Sequence, residues 1–115
     1  MGAETFMVTA NGKTMEEAFS TARSEARYEN GHGGYTGTIA EKPSAVEFPV
    51  PTGVTARDFA YAVRDCTYGD GLSDEMKAHA RTIKAAADLY EDKWGPAVAL
   101  KVETGRWLFM GWASS

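Results

Sequence analysis

One cysteine, two histidines and four prolines in 115 residues set the first limits on this chain. A lone Cys66 excludes an internal disulfide and fits a reducing compartment. Two histidines and one cysteine show no metal-ligand spacing, so no metal is expected. The acidic residues Asp65, Asp70, Asp74 and Glu75 lack the alternation of a calcium loop. No apolar run approaches the roughly 20 residues of a membrane span. No basic-then-apolar leader opens the chain, so the expected location is the cytoplasm, with no membrane partner. Basic excess is lacking too: 12 Lys and Arg stand against 16 Asp and Glu, a net charge of -4. That argues against general nucleic-acid binding, which needs a basic face for phosphates. No Gly-x-Ser-x-Gly elbow, Cys-His constellation, repeat or low-complexity segment appears, and no cofactor is implied.

What is present is ordinary for a folded domain. Hydrophobic residues make up 43% and charged residues 24%, which suits one domain over residues 1–115. A chain of this length buries roughly two-thirds of its unfolded surface.

The local patterns alternate between strand and helix. Residues 5–10 predict a first strand, stopped by Asn11-Gly12. Thr14 with Glu17 forms a capping box, and Met15, Ala18, Phe19, Ala22 and Ala26 make an apolar helical stripe that runs to about residue 30. Residues 35–40 predict a second strand. Val46-Glu47-Phe48 is a short extended segment, placed at an edge or in a loop by Pro49 and Pro51. Thr55 caps a second helix with Phe59, Ala62, Val63 and Cys66 buried. Ser73 caps a third, whose stripe is Met76, Ala80, Ile83, Ala87, Tyr90 and Trp94. Gly95-Pro96 ends it. Residues 97–102 and 107–113 predict a hairpin.

These elements predict an α+β fold: a mixed or antiparallel sheet of four to five strands with three helices, mainly on one face. In the last strand Trp107, Phe109 and Gly111 face one way, and Leu108, Met110 and Trp112 the other. Both faces are apolar, so this strand is central and covered twice, or one face meets a ligand or another subunit. If the helices cover one face alone, the other needs a partner, and a homo-oligomer is expected. Packing is the expected role of Trp94, Trp107 and Trp112, with a stacking wall or subunit contact as the alternative.

The densest unusual stretch is Gly31-His32-Gly33-Gly34-Tyr35-Thr36-Gly37-Thr38-Ile39. Glycines let backbone amides approach a bound group, and the polar side chains add donors and a stacking ring. A helix stop and a tight turn need fewer glycines than four. The expected ligand site is therefore His32, Tyr35, Thr36 and Thr38 with the amides of Gly33 and Gly34. Arg27, one helical turn earlier, is a counter-charge for a small phosphate-bearing or nucleotide-like ligand. The alternative is a helix stop and turn. Asn11-Gly12-Lys13-Thr14 has Met7 where a Walker motif needs glycine, which excludes a P-loop and leaves a turn with an N-cap. His79 lies beside its helix's stripe and is expected to be structural. No residue is assigned as catalytic, although His32 alone could exchange a proton near neutral pH.

The words Gly31-His32-Gly33-Gly34-Tyr35-Thr36-Gly37-Thr38-Ile39-Ala40-Glu41-Lys42 and Trp107-Leu108-Phe109-Met110-Gly111-Trp112-Ala113-Ser114-Ser115 resemble small uncharacterised proteins of tailed bacteriophages. The resemblance supplies no catalytic residues. It implies a phage-encoded counter-defence module in the host cytoplasm that sequesters a nucleotide-like signal. Two alternatives stay open. One is a phosphodiesterase-type hydrolase using His32. The other is an inhibitor that binds a host protein through an apolar sheet face.

Overall fold

Thr5, Phe6, Val8 and Thr9 give strand propensity to the first strand, β1, which spans Ala3–Asn11 in a computed structural model describing residues 3–30, 37–67 and 71–114. Asn11-Gly12 ends it, and the Gly12 amide donates to Gly105 O at 3.0 Å. The helix α1, Met15–Asn30, starts at once. Thr14 Oγ1 accepts from Glu17 N at 3.2 Å, and Glu17 Oε2 accepts from Lys13 N at 3.3 Å. The cap is reciprocal, with the carboxylate reaching one residue beyond its usual target. Ala18, Phe19, Ala22 and Ala26 are buried beneath it.

Three further strands complete one mixed sheet: β2 (Ala45–Phe48), β3 (Ala97–Glu103) and β4 (Arg106–Ser114). Their order is β1-β4-β3-β2. β4 pairs antiparallel with both β1 and β3, and β2 runs parallel to β3. Gly105, at φ 81°, makes the β3–β4 turn that a Cβ would strain. Between β2 and β3 lie α2 (Ala56–Thr67), a single turn α3 (Asp74–Lys77) and α4 (Ala80–Tyr90). Thr55 Oγ1 caps α2 by accepting from Asp58 N at 3.0 Å.

The strand order explains where the helices go. β1 leads to the far edge at β2, and β2 leads back to its neighbour β3. Both connections join parallel strands but cross the sheet in opposite senses. A common hand therefore puts their helices on opposite faces. α1 packs with Trp107, Phe109, Ala97 and Ala99 on one face, and the Phe19 and Phe109 rings lie 5.7 Å apart. On the other, α2 and α4 pack with Val98, Leu100, Leu108 and Met110. The result is the expected α+β class with four strands, and two of the three longer helices share one face.

Three expectations are corrected. Within residues 37–40 there is no strand (residues 35 and 36 lie outside the described set). Gly37 has φ 71°, and Thr38 Oγ1 accepts from Ala40 N at 3.2 Å, capping a 3-10 turn over Ile39–Glu41. The local hydroxyl bond replaces a strand ladder. The third helix is two pieces. His79 N donates to Met76 O at 2.9 Å, a tight closure that ends α3, and His79 then leaves helical geometry at φ -114°, ψ 16°. Trp94 is not in the core. Asp92 Oδ1 accepts from Trp94 N and Gly95 N, which turns the chain after α4 and leaves Trp94 62% exposed. Trp107 is buried and Trp112 partly so.

Gly12 makes a tight backbone approach: a Cβ there would meet Ala18 N at 2.4 Å. Gly12→Ala is expected to lower stability by about 1–3 kcal/mol through overpacking against backbone. Gly71→Ala, where a Cβ meets nothing within 4 Å, should change it by no more than about 0.5 kcal/mol. Urea midpoints of the two variants check this; equal midpoints would show that the Gly12 contact relaxes at no cost.

Candidate functional site

At about 100° per residue, the C-terminal half of α1 sorts its side chains into three lines. Ala22 and Ala26 point at the sheet and are buried. Glu25 and Glu29 fall on one side of that line, and Arg23 and Arg27 on the other. The helix thus carries an acidic and a basic flank over one apolar seam.

The acidic flank borders a cleft of about 350 Å³ between α1, β1 and the 3-10 turn. Phe6, Val8, Ala22, Ala26 and Ile39 give it apolar walls. Thr38 adds a hydroxyl, and Glu25 and Glu29 carboxylates. Its size falls in the range of small-molecule pockets. An ionised carboxylate is an acceptor alone, so this rim selects ligand groups that donate hydrogen bonds and repels a phosphate.

The basic flank is built differently. Arg23 Nη2 donates to Ala40 O at 3.5 Å, and the guanidinium lies 5.6 Å from the Phe19 ring centroid. Its Nε is buried with no hydrogen-bond partner. Burial lowers the Arg23 pKa, the like charge of Arg27 lowers it further, and Glu41 opposes them. Two cations brought together beside an unpaired N–H make the anion-favouring feature of this end of the molecule.

Of the expected ligand residues, Thr38 lines the cleft and Arg27 does not. The structure does not bring these two into one cavity. His32, Gly33, Gly34, Tyr35 and Thr36 lie outside the described residues. Sequence reasoning missed Glu25, Glu29 and Arg23, although their spacing around the Ala22–Ala26 stripe was available. Phe6 and Val8 join only through the fold. Lys13-Thr14 serves as the turn and N-cap, with the Thr14 hydroxyl on the Glu17 amide. Among the described residues no group of three or more His, Cys, Asp and Glu is placed to hold a metal ion. No helix among them is long and apolar enough to cross a membrane.

One buried cation lies near this end. Lys42 is 0% exposed, and its Nζ donates to Asp92 O at 2.9 Å. A Cβ on Gly111 would come within 3.2 Å of Lys42 Cε, so the aliphatic stem occupies the room that Gly111 leaves. Comparison with family models, with curated proteins and with solved structures returns no match.

Burial lowers the Lys42 pKa below its ordinary 10.5, with Asp92 partly opposing. The unfolded chain therefore binds more protons than the folded one between the lowered value and 10.5. Stability from this group rises with pH across that window, and below it the full cost of burying the cation remains. Lys42→Met keeps the stem and removes the charge. The natural protein should gain stability relative to this variant between pH 7 and about pH 10, read from urea midpoints. Parallel curves would show that Lys42 titrates alike in both states.

Proposed function

We propose that this protein is a small binding module that captures a nucleotide-like ligand without converting it. The observation that carries the reading is the cleft beside α1, with apolar walls and a rim of carboxylates beside the Thr38 hydroxyl. A planar base suits a wall of Phe6 and Ile39. Exocyclic amino groups, ring N–H groups and ribose hydroxyls suit Glu25 and Glu29, which accept what those groups donate. The phosphate belongs outside this cleft, since the same carboxylates repel it. Arg27 on the opposite flank supports a phosphate position around the end of α1. There the sequence supplies His32, Tyr35 and Thr36 and the amides of Gly33 and Gly34. The resemblance to tailed-phage proteins favours sequestration of a signal in the host cytoplasm over turnover.

Titration calorimetry with a matched nucleoside, nucleotide and cyclic dinucleotide series tests this. Glu25→Gln combined with Glu29→Gln should weaken nucleoside binding by about 10- to 100-fold, the worth of hydrogen bonds to a charged group. Arg27→Ala should weaken the phosphorylated ligands and leave the nucleoside unchanged. The ligand should be recovered chemically intact after denaturation, and a converted product would favour the hydrolase. A diamine that binds in preference to every nucleoside would overturn the nucleotide assignment.

A further inference from the structure

The two edges of the sheet are built to opposite specifications. β2 spans four residues, with Pro43 before it and Pro49 and Pro51 after it. Shortness and proline are the devices that stop an edge from recruiting another strand. β1, the other edge, spans nine residues. It has no proline and no lysine, and its one charged residue is Glu4. Its register with β4 runs without a shift from Ala3↔Ser114 to Asn11↔Arg106, so no bulge twists the edge away. Among the described residues no strand pairs with its outer side. Met7 and Val8 are each 36% exposed on it.

The geometry points to a second copy of this chain as the occupant of that edge, joined β1 to β1 in antiparallel pairing about a two-fold axis at Met7. The axis of such a pair stands perpendicular to the sheet, so facing residues have numbers of even sum. Of those registers, only the one centred on Met7 pairs all nine residues of Ala3–Asn11. Its pairs are self-complementary. Phe6 faces Val8 on the α1 side, Thr5 faces Thr9 on the other side, and Met7 faces itself. Glu4 faces Ala10, so no like charges stand opposite one another. The two sheets become one of eight strands, closed at both outer ends by the proline-flanked β2. That closure favours a dimer over a fibre. Both α1 helices then stand on the same face. Each cleft, walled by Phe6 and Val8, is continued by the same residues of the other copy. The inference stands on the edge alone and does not require the cleft to hold a ligand.

The test uses the full chain and two variants. Light scattering after gel filtration should give twice the 12.4 kDa chain mass at micromolar concentration. Met7→Lys places two ammonium groups on the axis and should yield monomer. Its side chain is partly exposed already, so its circular dichroism spectrum should match that of the natural chain. Met7→Cys in a Cys66→Ser background brings two thiols to the axis with Cα atoms about 4.5–5.5 Å apart, inside disulfide range. Mild oxidation should convert it to a covalent dimer, whereas natural protein should show none. A monomeric natural chain would overturn the inference. So would a dimer that survives Met7→Lys, or failure of Met7→Cys to cross-link while the dimer persists.

Discussion

A strand with two apolar faces has to be covered twice, and β4 imposes that requirement on the whole molecule. Trp107 and Phe109 look toward α1, while Leu108 and Met110 look toward α2 and α4, and all four are buried. Each large side chain withdrawn in this way contributes about 1.5–3 kcal/mol relative to exposure. The coverage exists because the connections before and after β2 cross the sheet in opposite senses. Gly111 interrupts one face, and the stem of Lys42 and the ring of Phe6 approach it there. The buried ammonium follows from that substitution of stem for side chain. Once the stem lies flat on β4, the Nζ needs an acceptor inside the protein, and Asp92 O provides it. The same bond ties the segment after the 3-10 turn to the end of α4.

The C-terminal half of α1 translates this architecture into chemistry. The seam of Ala22 and Ala26 lets the helix lie close to the sheet, and small side chains leave room beside it. Carboxylates border that room on one flank, and guanidiniums occupy the other. A ligand with a single negative group and nothing else therefore has no place in the cleft. One that presents donors to one flank and an anion to the other matches both. Arg23 and its neighbour Arg27 gather positive charge on the flank away from those carboxylates.

Much of the layout was readable along the chain. The strands at each end, the capping hydroxyls Thr14, Thr55 and Ser73, and the central rank of β4 are local or nearly local properties. The failures share a cause. At Thr38 a side-chain bond two residues long outcompeted the strand tendency of the β-branched residues around it. At His79 a tightened turn divided one continuous apolar stripe into two helices. At Trp94 the Asp92 carboxylate captured the amides that a helix would have used. In each case a local hydrogen bond set the conformation, from a side chain at Thr38 and Asp92 and from the backbone at His79, and hydrophobic periodicity does not record such bonds. Of the cleft residues the sequence singled out Thr38 alone, and for a different reason. Arg27 and Thr38 came from their nearness in sequence to the glycine-rich stretch, whereas Phe6 and Val8 enter the cleft only because β1 and α1 fold back on one another.

That difference also relocates the argument for a partner. An apolar face awaiting cover is visible in sequence as a strand that fails to alternate, and it led to the expectation of a second subunit on the sheet. With α1 over Phe109, that reason lapses for the face. What replaces it is an edge, and edges are set by strand order, which no local pattern announces. Association through a face draws on apolar area. Association through an edge draws on backbone N–H and C=O groups that every strand carries, so its control lies in the residues that forbid it. Proline and brevity forbid it at β2. Along β1 nothing comparable stands, and the proposed pairing follows from that contrast more than from any attraction particular to Met7 or Val8.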